Sequence, residues 1–172
     1  MRIIEVSGHV PDITDNLTNE AVKSVLEELG IEYLVTLPES FYGAMLEEVI
    51  KDSPIKIIQV CREPEGISIS SGLSYGGKKT AMICSFKGLY NSVDSLLGTA
   101  VRTESSFLLL VSEASKMAKG PKGAEGLYTE AILKAIELPY YMVSNNDEID
   151  KIREAWEETK NSKKPVAVIL RW

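Results

Sequence analysis

Two carboxylates flank a proline at the corner of the sequence best suited to chemistry. Residues 61–66 read CREPEG and follow an apolar, β-rich stretch at 55–60. Pro64 fits the first turn of a helix, and ligand sites in open α/β sheets lie just past the carboxyl ends of strands. A carboxylate at such a corner occupies a position typical of active sites. Glu63 is therefore the first candidate for a functional residue.

The alternative role for Glu63 is structural. A carboxylate near a helix start interacts favourably with the helix dipole, which contributes about 0.3 to 1 kcal/mol. Glu65, inside the first turn of the predicted helix, can fill that role alone. Glu63 is then less necessary for stability and more available for chemistry.

A second corner between a strand and a helix contains Lys87 and Gly88, in the sequence SFKGL at 85–89. Free backbone N–H groups at the start of a helix could bind an anion together with the Lys87 side chain. An ordinary turn that needs glycine explains the same residues equally well.

Several other chemistries lack the residues they need. One histidine and two distant cysteines do not supply a zinc site of thiolates and imidazoles, and we expect no metal site in this chain. A catalytic triad would need His9 as its base, and there is no G-x-S-x-G elbow. Neither G-x-x-x-x-G-K-[ST] nor G-x-G-x-x-G follows a strand, so the usual nucleotide-binding loops are absent.

Alternating apolar runs and amphipathic segments predict the elements that position these corners. Six strands are predicted at 31–37, 55–60, 80–84, 107–111, 140–143 and 166–170. Helices are predicted from helical spacing, one with Leu89, Val93, Leu96, Leu97 and Ala100 inward, and another with Ala131, Ile132, Ala135 and Ile136. The pattern predicts a six-stranded parallel sheet in a three-layer α/β/α fold, as one domain over 1–172.

The composition and net charge of the chain limit the classes of partner that it is expected to bind. The chain has 172 residues, is 44% hydrophobic and carries a formal net charge of −6. Binding of nucleic acid needs clustered lysine and arginine, so an acidic chain favours small molecules or protein partners. No apolar run approaches the roughly 20 residues that cross a bilayer, and the early charges in the sequence exclude a secretory signal. We expect a cytoplasmic protein without membrane or nucleic-acid contacts.

The corner motifs together resemble a known family. Four motifs occur in the order seen in the pyrimidine-binding domain of thiamine-diphosphate enzymes: REPEG at 62–66, Gly72, GK at 77–78 and GLYNS at 88–92. The earlier LPES at 37–40 also resembles a corner of that family. Within that group the chain is similar to the α subunit of sulfopyruvate decarboxylase and the matching half of phosphonopyruvate decarboxylase. The resemblance covers essentially the whole chain and implies a six-stranded parallel sheet.

The resemblance also implies roles for particular residues. Glu63 aligns with the carboxylate that hydrogen-bonds N1′ of the cofactor pyrimidine and favours its reactive tautomer. The other implied cofactor contacts are Pro38, Gly88 and Asn91, and the implied substrate contacts are Lys87, Asn91 and Ser92. From the residues alone, Asn91 and Ser92 could instead cap a helix. Lys116, Lys119 and Lys122, in a loop at 113–126, could attract an acidic substrate or form a solvated loop.

A missing motif implies a partner. Thiamine enzymes hold the diphosphate through Mg²⁺ with a G-D-G sequence, and this chain contains none. The resemblance therefore implies a pyrophosphate-binding, β-type subunit on a separate chain, which binds most of the Mg²⁺, together with a contact between two copies of this chain.

The function implied is that of an α-type subunit of a thiamine-diphosphate-dependent 2-oxoacid decarboxylase. Its substrate would be an anionic 3-substituted pyruvate such as sulfopyruvate, as in coenzyme M biosynthesis, or a phosphonopyruvate-like acid. Two alternatives remain open. One is a subunit of an acetolactate-type carboligase, and the other is a non-catalytic assembly or regulatory subunit with the same fold.

Overall fold

The architecture is an all-parallel sheet with helices on both faces. The computed structural model describes residues 16–38, 47, 49, 51–113 and 128–171. The strands are β1 (Tyr33–Thr36), β2 (Lys56–Gln59), β3 (Thr80–Ser85), β4 (Leu108–Glu113), β5 (Tyr140–Val143) and β6 (Val166–Arg171). The sheet order is β2-β1-β3-β4-β6-β5, with every pairing parallel. The predicted six-stranded parallel α/β sheet is confirmed.

The helices connect these strands and cover both faces. They are α1 (Asn19–Glu28), α2 (Glu63–Tyr75), α3 (Phe86–Asn91), α4 (Val93–Ser95), which continues as a π-helix (Leu96–Val101), α5 (Thr129–Ala135) and α6 (Asp150–Ser162). A short 3-10 turn (Asn146–Glu148) precedes α6. The helix α1 ends just before Gly30, which has a φ of +70°, a conformation that costs glycine little.

The hydrophobic core is divided by the sheet. Side chains alternate along a strand, so Leu108 and Leu110 of β4 join one cluster and Leu109 and Val111 join the other. The first cluster packs beneath α1 and α6, and the second beneath α2, α3, the π-helix and α5. Burial on both faces explains why the inner strands β3, β4 and β6 are nearly continuous apolar runs in the sequence.

Two predicted helix faces differ from the structure. The helix after β3 begins at Phe86, is interrupted at Ser92 and widens into the π-helix, so that Leu97 is 42% exposed although it was predicted to point inward. In α5 the buried residues are Thr129 and Leu133, and the predicted alanines at 131 and 135 are exposed. The alanines misled the prediction because a methyl group contributes little to a helix's apolar face.

Some sequence predictions fall outside the described residues. These are His9 and the loop lysines Lys116, Lys119 and Lys122. The spacing of Phe41, Met45 and Val49 also predicts a helix at 40–51, and most of that segment lies outside the described residues. Within the described residues, no helix combines the length and apolar character needed to span a bilayer.

Candidate functional site

The start of α2 places Glu63 at the carboxyl edge of the sheet. β2 ends at Gln59, and the N–H of Val60 donates to the Thr36 carbonyl over 2.9 Å. Arg62 is the extended residue before the helix, and Glu63 is its first residue. The sequence placed Glu63 at the end of the strand, before the helix, whereas it lies within the helix. Its side chain is half-buried.

Glu65 carries the capping role at this helix start. Its Oε2 accepts a hydrogen bond from the backbone N–H of Cys61 over 3.0 Å. This bond satisfies a backbone donor beside the helix end, much as the acidic residue of a capping box does. The predicted division of labour between Glu63 and Glu65 is consistent with this contact, which leaves the Glu63 carboxylate outside the cap.

Gly66 fixes how closely α2 approaches the sheet. A Cβ added at Gly66 would lie 2.6 Å from Cε of Met82, a buried residue of the central strand β3. A side chain at position 66 would force the Met82 thioether to move, and glycine avoids this shift. Since Gly66 lies one turn beyond Glu63, its contact with Met82 also fixes the position of the Glu63 backbone.

Gly88 makes room for the Glu63 side chain. A Cβ on Gly88 would lie 2.5 Å from Cγ and 2.9 Å from Oε1 of Glu63. Gly88 is in the first turn of α3, where Oγ of Ser85 accepts from its N–H over 3.5 Å. The structure thus brings together two of the predicted site residues, one following β2 and the other following β3, although β1 separates these strands.

Asn91 completes the contact with Glu63. Its Nδ2 donates to Glu63 Oε2 over 3.4 Å, a long hydrogen bond, and its side chain is exposed at the end of α3. No lysine or arginine forms an ion pair with Glu63 among the residues that the structure describes. The carboxylate therefore has acceptor capacity left for a hydrogen-bond donor on a ligand.

Ser92 supports the turn rather than lining an open site. It is 1% exposed, and its Oγ donates to the Gly88 carbonyl over 2.7 Å. This arrangement favours the structural role for Ser92 over the predicted substrate contact. The hydrogen bond from Ser92 stabilises the backbone of Gly88, which packs against the Glu63 side chain.

Replacing Ser92 with alanine is expected to lower the free energy of unfolding by about 1 to 3 kcal/mol, because the Gly88 carbonyl loses a buried donor. Urea denaturation followed by circular dichroism measures this loss. Ser68 is a matched control, since its hydroxyl makes the same bond to the carbonyl four residues earlier, over 3.1 Å, at an exposed position. We expect Ser68→Ala to change stability by about 0.5 kcal/mol or less. Equal losses in the two variants would contradict the buried role.

Lys87 and Pro38 lie at the same edge without contacting Glu63 in any described hydrogen bond. Lys87 is exposed, with its Nζ 5.8 Å from the ring centroid of Phe86. Pro38 is exposed just after β1. Tyr90 ties α3 to α5, because its hydroxyl lies 3.2 Å from Oγ1 of Thr129.

A charged group at the same edge was missed from the sequence. Glu113 ends β4 at 9% exposure, and its Oε2 accepts from Nε of Arg171, which ends the neighbouring strand β6, over 2.7 Å. Arg171 Nη2 also lies 3.6 Å from Glu130, where a hydrogen bond from the Tyr140 hydroxyl lowers the pKa of the carboxyl group. The available signal was a charge of opposite sign at the end of each of two apolar runs, with Ser112 between Val111 and Glu113 and with Arg171 directly after Leu170. Within the described residues, no three potential ligand side chains converge as a metal site.

Comparison of the sequence with known proteins identifies the family of this chain. The chain is 30% identical over 156 residues to the sulfopyruvate decarboxylase subunit alpha of Methanococcus maripaludis, covering 88% of this chain and 93% of that protein. The chain belongs to the sulfopyruvate decarboxylase alpha-subunit family. Alpha subunits from Methanothermobacter thermautotrophicus and Methanocaldococcus jannaschii are 29% and 25% identical to it. They align over 89% and 77% of this chain, and over 94% and 79% of their own lengths.

The fold of this family member is also found in a solved structure. A benzoylformate decarboxylase from Polynucleobacter necessarius superposes with a TM-score of 0.73 over 91% of this chain at 17% identity. The chain spans 30% of that protein, so the likeness describes the fold of one part of it. A scan against models of protein families finds no match.

Proposed function

We propose that this chain is the pyrimidine-binding subunit of a thiamine-diphosphate-dependent 2-oxoacid decarboxylase. The observation that carries the proposal is the half-buried Glu63 carboxylate, packed against Gly88, with an amide donor and no described cation beside it. A carboxylate with spare acceptor capacity suits the protonated ring nitrogen of an aminopyrimidine. The naming of three relatives as sulfopyruvate decarboxylase alpha subunits supports the same reaction class.

Glu63 would hold the proton at the pyrimidine nitrogen. When bound, the cofactor supplies the electron sink that accepts the bonding electrons as carbon dioxide leaves the 2-oxo acid. The chain's part is to keep a negative charge facing the ring, because hydrogen bonds to ionised groups are about twice as strong as neutral ones. Gly88 leaves space for that carboxylate, and Asn91 orients it through Oε2. Pro38, Gly88 and Asn91 are the cofactor contacts that we propose.

The proposed substrate is an anionic 3-substituted pyruvate, such as sulfopyruvate or a phosphonopyruvate-like acid. Lys87 and Asn91 are exposed at the carboxyl edge beside Glu63 and offer a cation and an amide donor to its acidic group. A cation near the site raises the local concentration of such an acid.

The diphosphate half of the site is proposed to lie on a separate β-type chain. The sequence contains no G-D-G, the motif that places Mg²⁺ on the diphosphate in thiamine enzymes. Mg²⁺ is usually bound by one or two carboxylates together with substrate phosphates. We therefore propose that the partner chain binds most of the Mg²⁺ and that the cofactor lies between the two chains in the cytoplasm.

Reconstitution tests the proposed function. The chain is mixed with a partner chain that carries G-D-G, and thiamine diphosphate binding is measured by calorimetry with Mg²⁺ present. Carbon dioxide release is followed with sulfopyruvate, phosphonopyruvate and pyruvate. We expect binding and release of carbon dioxide from the anionic acids only when both chains are present. Absence of cofactor binding would indicate a non-catalytic subunit, and acetolactate formed from pyruvate would indicate a carboligase.

A further inference from the structure

Arg62 occupies a position where an arginine does not stabilise the fold. It directly precedes α2, a helix of 13 residues, and its side chain makes no capping hydrogen bond there. The residues that cap this position well are serine, threonine, aspartate and asparagine. The N-terminal end of a helix carries a partial positive charge, so a cation beside it is electrostatically unfavourable. A residue that breaks local rules of this kind is expected at a functional site.

The Arg62 guanidinium has no partner in the described chain. Arg62 is exposed, and no described hydrogen bond, ion pair or ring contact involves its side chain. Its two acidic neighbours have other partners, since Glu63 accepts from Asn91 and Glu65 accepts from the N–H of Cys61. The N–H donors of the guanidinium therefore remain for an anion from outside the chain.

The other basic residues at the carboxyl edge of the described sheet already have contacts. We compared the segments that run from the end of a strand through the first turn of the next helix. Nε of Arg171, in β6, donates to a glutamate over 2.7 Å, and Nζ of Lys151, in α6, forms an ion pair of 2.7 Å with another glutamate. Nζ of Lys87, in α3, lies 5.8 Å from the centroid of an aromatic ring. Among these described segments, Arg62 alone offers an uncommitted cation.

Arg62 is also the immediate neighbour of Glu63, the residue proposed to face the cofactor. Adjacent Cα atoms are about 3.8 Å apart, a shorter distance than the length of an arginine side chain. The 2-oxo acid reacts at the cofactor, so an acidic group on it would lie within reach of this guanidinium. Arginine binds oxyanions through parallel N–H donors, which adds geometric specificity to the attraction between the charges.

We propose that Arg62 binds the anionic group at carbon 3 of the 2-oxo acid and thereby determines the preference of the site for anionic 3-substituted pyruvates. The proposal rests on the function proposed above. A contact with the carboxylate that leaves would stabilise a charge that is lost in the transition state, and would slow the reaction. The group at carbon 3 keeps its charge throughout. A contact with Arg62 therefore strengthens binding of the substrate and of the transition state equally.

Arg62→Ala in the reconstituted two-chain enzyme tests this contact. We expect KM for sulfopyruvate to rise by about ten- to a hundredfold, the usual effect of losing a hydrogen bond to a charged group, while kcat changes by about twofold or less. The inhibition constant of pyruvate, which has no charge at carbon 3, should be unchanged. Calorimetric binding of 3-sulfopropanoate, an analogue without the keto group, should weaken by the same factor as KM rises. Arg62→Lys should give an intermediate KM, because lysine keeps the charge without the paired donors.

Arg102→Ala is the matched control. Arg102 follows the π-helix ahead of β4, near the opposite edge of the sheet, and it is likewise exposed without a described ion pair. Its removal should leave KM unchanged. Arg62→Ser separates a substrate contact from a structural role, because serine can cap α2. The melting temperature of this variant, followed by circular dichroism, should rise by about 2 to 4 °C, while its KM rises as in Arg62→Ala.

The outcomes distinguish this proposal from the proposed function. A wild-type complex that releases carbon dioxide, together with an Arg62→Ala complex of unchanged KM, would overturn the role of Arg62 alone. The same holds if kcat falls at constant KM, if affinity for pyruvate falls equally, or if Arg62→Ser melts at a lower temperature. A wild-type complex that neither binds thiamine diphosphate nor releases carbon dioxide would overturn both proposals.

Discussion

Replacing Glu63 with glutamine is expected to lower kcat of the reconstituted enzyme by about two to four orders of magnitude, the usual contribution of a positioned acid or base. Glutamine has the same size, and its carbonyl oxygen can still accept the hydrogen bond from Asn91 Nδ2. It carries no negative charge, however, and cannot stabilise a proton on the pyrimidine ring. Turnover at saturating substrate and cofactor measures the effect.

Glu65→Gln is the matched control for that variant. It makes the same charge change two residues away, and the amide oxygen can still accept from the N–H of Cys61. We expect its kcat to be near that of the wild type. Sedimentation of both variants with the partner chain shows whether assembly is preserved. Near-normal turnover of an assembled Glu63→Gln enzyme would refute the proposed role of Glu63.

Replacing Gly88 with alanine is expected to reduce turnover by about a hundredfold, because the added methyl group displaces the Glu63 carboxylate. The new Cβ would lie 2.5 Å from Cγ and 3.0 Å from Cδ of Glu63. A shift of about 1 Å in a catalytic group commonly costs this much. Overpacking is expected to reduce the free energy of unfolding by about 1 to 3 kcal/mol as well.

Gly76→Ala separates the local effect from a general effect of removing a glycine. Gly76 follows α2 with a φ of −76°, and the nearest atoms to an added Cβ are 3.4 Å away, at ordinary contact distance. Turnover, calorimetric binding of thiamine diphosphate and urea denaturation are measured for both variants. If Gly88→Ala keeps wild-type turnover and cofactor binding, the contact between Gly88 and Glu63 is not needed in catalysis.

The strands and the position of the corner between β2 and α2 could be predicted from the sequence because they depend on local patterns. The inner strands β3, β4 and β6 are apolar runs, and burial on both faces makes that pattern continuous. The edge strand β2 is less buried, but Ile57 and Ile58 still mark it in the sequence. The separate roles predicted for Glu63 and Glu65 were based on their positions on either side of Pro64, and the bond from the Cys61 N–H to Glu65 agrees with the role predicted for Glu65. The contact between Glu63 and Gly88 could not be predicted, because it depends on the order of the strands in the sheet. No local segment of the sequence determines that order.

Local rules also failed where the helix geometry changes. Leu97 satisfies the 3.6-residue spacing of Leu89, Val93 and Leu96, but the π-helix from Leu96 uses hydrogen bonds to the fifth residue and turns the chain differently. The pair formed by Glu113 and Arg171 was missed for another reason. These residues are 58 positions apart and meet only because β4 and β6 are neighbours.

The edge position of β2 has a mechanical consequence for Glu63. β2 pairs with β1 alone, and an outer strand with one neighbour opens locally at a lower free energy than a central strand. Glu63 follows this outer strand directly, but α2 rests on the central strand β3 through Gly66 and Met82. Fraying of β2 would therefore leave the carboxylate anchored to the most protected part of the sheet.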